Sequence, residues 1–461
     1  MITTNLITDC KFLENELMDV VRLFEKRPTS ISHSFRFEDG IFYNNFTVDG
    51  TAYSFKEAGQ VCDEIEFKRM ERRFGKLALY EILSDLTGEK MPWGALTGIR
   101  PTKMAYMEKH AGRDYHDLFQ KMGVSPENVR LVDDILAAQE GIYSTDEGAD
   151  LFVSIPFCPT KCAYCSFITA PIEKLRSFVE PYLACLEKEL SAVAPLCKNL
   201  RSIYVGGGTP FALSEEELER VLKGIAPLVK EGIEYTVEAG RPDVFTDGKL
   251  RLLKEYGVNR ICINPQTFSE ETLKKIGRKH TIADVYNAFE MSKKYGFIIN
   301  VDLIAGLEDE DVATFRASVE QAVATGADNI TVHCLSLKSG AKLKEELSRV
   351  ENNSVQEMVS LSREILSSAG YVPYYMYRQK YQAGNNENVG WTKRGKACVY
   401  NVDVMEETTD NIAVGANAVS KKVYAGGARI ERFASQKDLK TYMEKLDETI
   451  ENRHNFFTKN G

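Results

Sequence analysis

The sequence has no stretch approaching about 18 uninterrupted apolar residues, so no membrane-spanning helix is expected. It also has no block of basic residues. Asp and Glu outnumber Lys and Arg, 67 to 58, for a net charge of −9. An acidic chain with a pI near 5.5 is a poor general nucleic-acid binder. An anionic substrate would have to be met by a few placed cations. The opening residues, MITTNLITDCKFLENELMDV, lack a basic segment followed by an apolar core, so no secretory signal is expected. The ten cysteines are therefore expected as reduced thiols of a cytoplasmic protein and not as a disulfide framework. Hydrophobic residues at 43% and charged residues at 27% exclude collagen-like and wholly disordered chains. A length of 461 residues allows about three domains, or one large barrel with an appendage.

Residues 1–145 read as an α+β unit. HSFRFEDGIFYNNFTVDGTAYSF holds two Asp-Gly turn signals between aromatic-rich strands, which suggests an antiparallel meander. A helical pattern follows from about Glu64 to Leu86. The polar run STDEGAD, 144–150, marks the expected boundary. From residue 151 strand and helix alternate. Strands are expected at 151–157, 202–207, 234–239, 260–265, 298–306 and 329–336. Ser214 with Glu217 three residues on is a capping-box signature. Leu218, Val221, Leu222, Ile225 and Val229 then form one helical face. Six βα units with apolar strands call for a parallel sheet covered by helices, as a barrel or a doubly wound sheet. Either way, reactive groups belong at the C-terminal ends of the strands. After about residue 340 the alternation weakens and a C-terminal extension begins.

Seven cysteines are scattered, whereas Cys158, Cys162 and Cys165 crowd into eight residues directly after the first of these strands. A structural zinc usually takes four protein ligands, and no fourth stands nearby in sequence. A disulfide would use two thiols and strand one. An iron–sulfur cubane held by three thiolates would leave one iron open for a ligand. The C-x3-C-x2-C spacing, with an aromatic before the third cysteine, resembles the radical S-adenosylmethionine (SAM) superfamily. In that chemistry the open iron chelates the amino and carboxylate groups of SAM, and an electron from the cluster cleaves the sulfonium.

The other strand ends carry further candidates. Tyr204-Val-Gly-Gly-Gly208-Thr-Pro210 places glycines where backbone can approach a ligand closely; a plain tight turn is the alternative. Beside the cysteines it resembles the GGGTP element of the same superfamily, and Gly207, Gly208 and Thr209 are the candidates. Glu238 ends the third strand, as a ligand for the SAM amino group or ribose, or as a satisfied loop acid. Gln266 in NPQTF has donor and acceptor capacity. Arg278 in IGRKH can neutralise a carboxylate. Asp302 lies inside an apolar strand, where an unpaired carboxylate is costly, so it is expected at the barrel mouth with a partner. Phe152 and Tyr164 flank the cysteines as cofactor contacts or packing residues. His333 is expected to be a satisfied core residue.

Together, SIPFCPTKCAYCSF, YVGGGTPF, EYTVEAGRPD, INPQTF, IGRKH and VDLIAGL resemble the oxygen-independent coproporphyrinogen III oxidase group of radical SAM enzymes. WGALTGIRPTK (93–103), YRQKYQAGNNENVGW (377–391) and AVGANAVSK (413–421) resemble its HemZ-type branch. The resemblance implies an α/β fold: a radical SAM partial (β/α)6 barrel at 151–340, an N-terminal α+β domain at 1–145 and a C-terminal extension at 341–461. It implies one 4Fe–4S cluster on Cys158, Cys162 and Cys165, and two SAM molecules. Gly207 and Glu238 would serve the first SAM. Tyr164, Gly208, Thr209, Gln266, Arg278 and Asp302 would serve the second. The implied reaction turns two propionates of coproporphyrinogen III into vinyl groups, through a 5′-deoxyadenosyl radical, giving protoporphyrinogen IX for heme biosynthesis. Two positions depart from the founding oxidase type: Phe167 stands where it has a fourth cysteine, and Phe152 where it has a tyrosine.

Substrate residues are less legible. Arg378 and Lys380, interleaved with Tyr377 and Tyr381, are candidates for meeting propionates; an exposed polar strand is the alternative. The N-terminal domain is expected to cap the barrel mouth, with Arg100 and Lys103 as further cations. The chemistry calls for a one-electron donor such as ferredoxin or flavodoxin, and for an electron acceptor that no residue pattern identifies. Two other functions stay open. One is a heme-binding chaperone, although NNENVGW lacks the histidine of that branch's HNxxYW motif, and His454-Asn455-Phe456-Phe457 lies elsewhere. The other is a different radical SAM activity on a tetrapyrrole, such as methyl transfer.

Overall fold

The computed structural model describes residues 4–59, 61, 63–97, 100–146, 148–166, 170–335, 352–379, 386–424, 427 and 429–459. They divide into two compact units. One comprises the chain to Asp133 with Arg378 and Gln379, and the other holds the rest. The division falls inside the helix Pro126–Ala138 and not at the polar run 144–150.

The first unit is a four-stranded sheet, β1 (Asn5–Thr8), β2 (Ser30–Glu38), β3 (Ile41–Val48) and β4 (Thr51–Ala58). The last three form the expected meander. Asp39-Gly40 and Asp49-Gly50 supply the paired positive φ angles that two-residue turns require. Phe42, Phe46 and Val48 alternate onto the buried face of β3. The helix Glu64–Thr87 packs on this sheet, with Phe67 and Phe74 against Phe42. Asp63 caps its start, and Gly88 ends it in the left-handed conformation.

The second unit is built on β5 (Ala149–Ile155), a short pair β6 (Phe157–Cys158) and β7 (Ala170–Pro171), then β8 (Leu200–Gly207), β9 (Glu234–Gly240), β10 (Arg260–Ile263), β11 (Ile298–Ala305) and β12 (Asn329–Cys334). β5, β8, β9, β10, β11 and β12 pair in that order, all parallel. Intervening helices cover one face. Leu151, Val153, Ile155, Ile203, Val205, Tyr235, Val237, Ile261, Val301 and Leu303 are fully buried there. Each large apolar side chain so buried contributes about 1.5–3 kcal/mol before entropy is counted. The alternate positions turn inward: Phe152, Tyr204, Glu238, Cys262, Asp302 and His333. The capping box at Ser214 forms as expected, and Leu218, Val221, Leu222 and Ile225 are buried on that helix.

The (β/α)6 barrel is partial, and the C-terminal residues extend its open edges. At one edge β12 is followed by antiparallel β14 (Asn388–Thr392) and β13 (Val372–Tyr377). At the other, β15 (Asp410–Val414) lies parallel to β5 and continues into β16 (Val419–Tyr424) and β17 (Arg429–Ala434). Gly415 makes the β15 seam possible: at φ +96° it leaves no room for a Cβ beside the Tyr182 hydroxyl and the Ser154 carbonyl. At the N-terminal ends of the strands, buried Arg260 pairs with Glu234 at 3.1 Å and donates to the carbonyls of Lys396 and Ala397. Glu234 accepts from the N–H groups of Val399 and Tyr400, at the start of the helix Val399–Glu406. The C-terminal segment is thereby bolted to the base of the barrel.

Candidate active site

β5 delivers the chain to the cysteine loop at the C-terminal ends of the strands, where β6 and β7 pair beside it. The loop is tied to the IGRKH turn. Ala163 N–H donates to Ile276 O at 3.0 Å, and Thr160 Oγ1 donates to Gly277 O at 3.2 Å. Arg241 donates to Thr160 Oγ1 at 2.7 Å while Asp243 holds its guanidinium with two 2.9 Å bonds. Tyr164 packs on Leu273, Ile276, Ile304, Leu307 and Leu335 and accepts from Arg278 at 3.0 Å. Arg278 also donates to the Asn264 carbonyl. Burial holds the Tyr164 phenol above its ordinary range, with Arg278 opposing and Cys162 adding to the shift. No cysteine among the described residues is in a disulfide, and Cys158, Cys162 and Cys165 are half-buried.

The glycine element at the end of β8 is joined to this loop. Gly208 N–H donates to Ile155 O and Thr209 N–H to Phe157 O, both at 2.7 Å. A Cβ on Gly208 would lie 2.4 Å from Phe157 O, and Gly207 sits at φ +105°. Thr209 Oγ1 is 3.8 Å from Cys158 Sγ. Glu238 accepts from the Tyr204 hydroxyl at 2.6 Å and from Gly207 N–H at 3.3 Å. Burial pushes its carboxyl up to about 7; Asp302 pushes the same way, and the two hydrogen bonds oppose.

Gln266 takes φ +73°, unusual for a residue with a side chain. Its N–H donates to Asp302 O and its carbonyl accepts from Ile304, which splices the loop after β10 onto β11. Asp302 lies 3.5 Å from His333, whose other ring nitrogen is 2.9 Å from the Tyr377 hydroxyl. His333 is thus not sealed in the core: its side chain keeps 25% exposure, because it faces inward on β12 beside a carboxylate.

Residues 152–322 match the radical SAM superfamily. Over 416 residues the chain is 35% identical to the oxygen-independent coproporphyrinogen-III oxidase-like protein HemZ of Bacillus subtilis (strain 168), covering 85% of this chain and 83% of that protein. The chain belongs to the HemZ group of radical SAM proteins. It is also 37% identical over 190 residues to the heme chaperone HemW of the same strain, covering 40% of this chain and 49% of HemW. The structure of the coproporphyrinogen III oxidase HemN from Escherichia coli shares the fold, with a TM-score of 0.54 over 68% of this chain and 73% of that one, at 20% identity.

Membership in the superfamily implies a 4Fe–4S cluster and SAM. The donors suit this HemZ-group chain. Among the described residues, no three His, Cys, Asp or Glu side chains gather around one point as for a single metal ion. A cubane spreads its ligands over separate irons, so it asks for three free thiols on one loop. Gly206 and Gly208 leave no room for a Cβ, which would press on the Glu238 carboxyl and on the Phe157 carbonyl, so only glycine lets this element lie so close to that loop.

Arg378 is buried in the N-terminal unit, donates to Leu96 O at 2.6 Å and lies over the Trp93 ring. Its guanidinium is a packing and hydrogen-bonding element there. Lys380 and Tyr381 lie outside the described residues. Arg100 is the N-cap of the helix Pro101–His110, and Lys103 lies in its first turn. Phe456, on the helix Leu446–Thr458, packs on Phe433 and Phe457. Conversely, Tyr204, Tyr400 and Arg241 escaped the sequence reading. Tyr204 was within reach, since strand alternation turns it the same way as Gly206. Tyr400 gives no sequence signal, because only the tertiary fold brings it beside Tyr204.

Proposed function

We propose that this chain is an oxygen-independent coproporphyrinogen III dehydrogenase that converts two propionates to vinyl groups and yields protoporphyrinogen IX. The observation that carries the proposal is the joining of the thiol loop to the glycine element by two 2.7 Å hydrogen bonds, with Glu238 held beside them. The name of the HemZ relative that spans most of the chain supports the substrate class. In this proposal Cys158, Cys162 and Cys165 hold the cluster. When bound, the cluster and SAM supply a 5′-deoxyadenosyl radical, able to take a hydrogen atom from an unactivated carbon. Gly207 and Glu238 receive the amino group of one SAM, with Phe152 packed nearby. Tyr164, Gly208, Thr209, Gln266, Arg278 and Asp302 receive a second.

Each propionate conversion removes one hydrogen atom, one carbon dioxide and one electron. The reaction therefore needs a one-electron donor of the ferredoxin or flavodoxin kind, and an acceptor for the final electron. The stretch shared with HemW favours a second function, a heme carrier without turnover. An anaerobic assay separates them. Reconstituted protein receives SAM, a reductant and coproporphyrinogen III, and mass spectrometry follows 5′-deoxyadenosine and the porphyrin products. Protoporphyrinogen matched by deoxyadenosine is expected. Deoxyadenosine with a methylated tetrapyrrole would replace the substrate chemistry. Neither product, with an intact reducible cluster and stoichiometric heme binding, would favour the carrier.

A further inference from the structure

β9 carries two glutamates on its inward face, Glu234 and Glu238. Glu234 fixes the backbone of Val399 and Tyr400 through bonds of 2.9 and 3.0 Å. From there the Tyr400 ring stacks on Tyr204, with centroids 4.4 Å apart and planes 21° apart. Phe152, the Cα partner of Tyr204 on β5, extends the stack at 6.2 Å from Tyr204 and 6.3 Å from Tyr400. The Tyr204 hydroxyl then reaches Glu238 at 2.6 Å. The path leaves β9 at one carboxylate and returns to it at the other. Gly206 gives the last link its room, because a Cβ there would lie 2.8 Å from both the Glu238 carboxyl and the Tyr204 ring.

We propose that Tyr204 and Tyr400 are positioning residues for Glu238, through which the C-terminal helix Val399–Glu406 sets the affinity for SAM. The proposal rests on Glu238 as the SAM ligand. A carboxylate left with only the 3.3 Å bond from Gly207 has more than one rotamer open to it. The Tyr204 hydroxyl selects one, and the stack selects the Tyr204 ring plane. The SAM ammonium then meets a carboxylate already aimed at it, so less ordering is lost on binding.

The test is SAM binding by titration calorimetry to the reconstituted full chain under anaerobic conditions, with iron content and melting temperature recorded for each variant. Tyr204→Phe is expected to weaken SAM about tenfold with iron content unchanged, the loss of one hydrogen bond to a charged group. It is also expected to move the pH midpoint of SAM binding upward, since Glu238 loses a donor while Asp302 and Cys262 still face it. A purely structural role would not move that midpoint. Tyr400→Leu should weaken SAM several-fold, while Tyr400→Phe, which keeps the ring, should stay within about twofold. Tyr204→Phe decides alone should Tyr400→Leu fail to fold. SAM affinity within twofold of wild type in both Tyr204→Phe and Tyr400→Leu, beside a weakened Glu238→Gln, would overturn the positioning role only. An unchanged Glu238→Gln would remove Glu238 as the SAM ligand, and the positioning role with it.

Discussion

Glu234 and Glu238 share one strand and one face, yet their surroundings are opposite. Glu234, at the base, accepts from Arg260, Cys398 and two backbone N–H groups. Glu238, at the mouth, accepts from one phenol and one longer N–H bond. The same contrast runs around the barrel. At the base, buried Asp150 is met by Ser202 and Thr409, and Arg201 clasps Asp403. At the mouth are glycines with no space for a Cβ, a glutamine at φ +73°, and the half-exposed pair Asp302 and His333. A carboxylate pinned by many partners holds a fold together, whereas one with few keeps acceptor capacity for a ligand. The two ends should therefore fail differently.

The largest effect belongs to the mouth. Cys162→Ala should abolish iron–sulfur absorbance and turnover, with the melting temperature nearly unchanged, because the thiol is half-buried on a loop. A stable cluster in that variant would break the comparison at its strongest point. The base should answer in the opposite way. Arg260→Ala leaves Glu234 as a buried charge without its cation and should cost about 3–5 kcal/mol of stability. Iron bound per folded molecule should stay at the wild-type level. Chemical denaturation checks the first figure, and iron analysis of the soluble fraction checks the second.

How much of this contrast was legible in the sequence follows from how local each signal is. The meander turns, the capping box at Ser214 and the six parallel strands are written in contiguous residues, and they form where expected. The cysteines and Gly207–Thr209 are contiguous motifs as well, and the fold brings them together at one end of the sheet. The base was not legible. β15 inserts beside β5, and Glu234 meets Val399, through pairings that no local pattern encodes. Arg378 shows the same limit from the other side: an arginine among tyrosines looks exposed, until Trp93 and Leu96 are folded around it.

A smaller effect tests whether the mouth is as closely fitted as its glycines suggest. Gly208→Ala places a methyl group 2.4 Å from Phe157 O, a backbone atom that cannot step aside alone. Overpacking of this kind costs about 1–3 kcal/mol. The bond from Thr209 N–H to Phe157 O should break with it, so SAM affinity should fall at least tenfold alongside a modest drop in melting temperature. Loss of stability with SAM affinity intact would mean that the glycine serves the turn and not the ligand.

The smallest effect is one of pH, and its sign separates the two glutamates. The Glu238 carboxyl rises from 4.5 to about 7, by burial first and by the Asp302 charge second. Its unfolded counterpart ionises near 4.5, so between those values the native state holds the extra proton. Stability must then fall as pH rises from about 4.5 to about 7, and this contribution levels off above. A cationic ligand reverses the preference, because it favours the ionised carboxylate. SAM should therefore bind more tightly as pH rises through about 7, releasing a proton from Glu238 below that pH. Calorimetry in two buffers of different ionisation enthalpy measures the released proton directly. Glu238→Gln should abolish both the release and the pH slope, whereas Glu234→Gln should leave both in place while lowering the melting temperature. A proton still released by Glu238→Gln would assign it to another group and return Glu238 to an ordinary structural acid, no different in kind from Glu234.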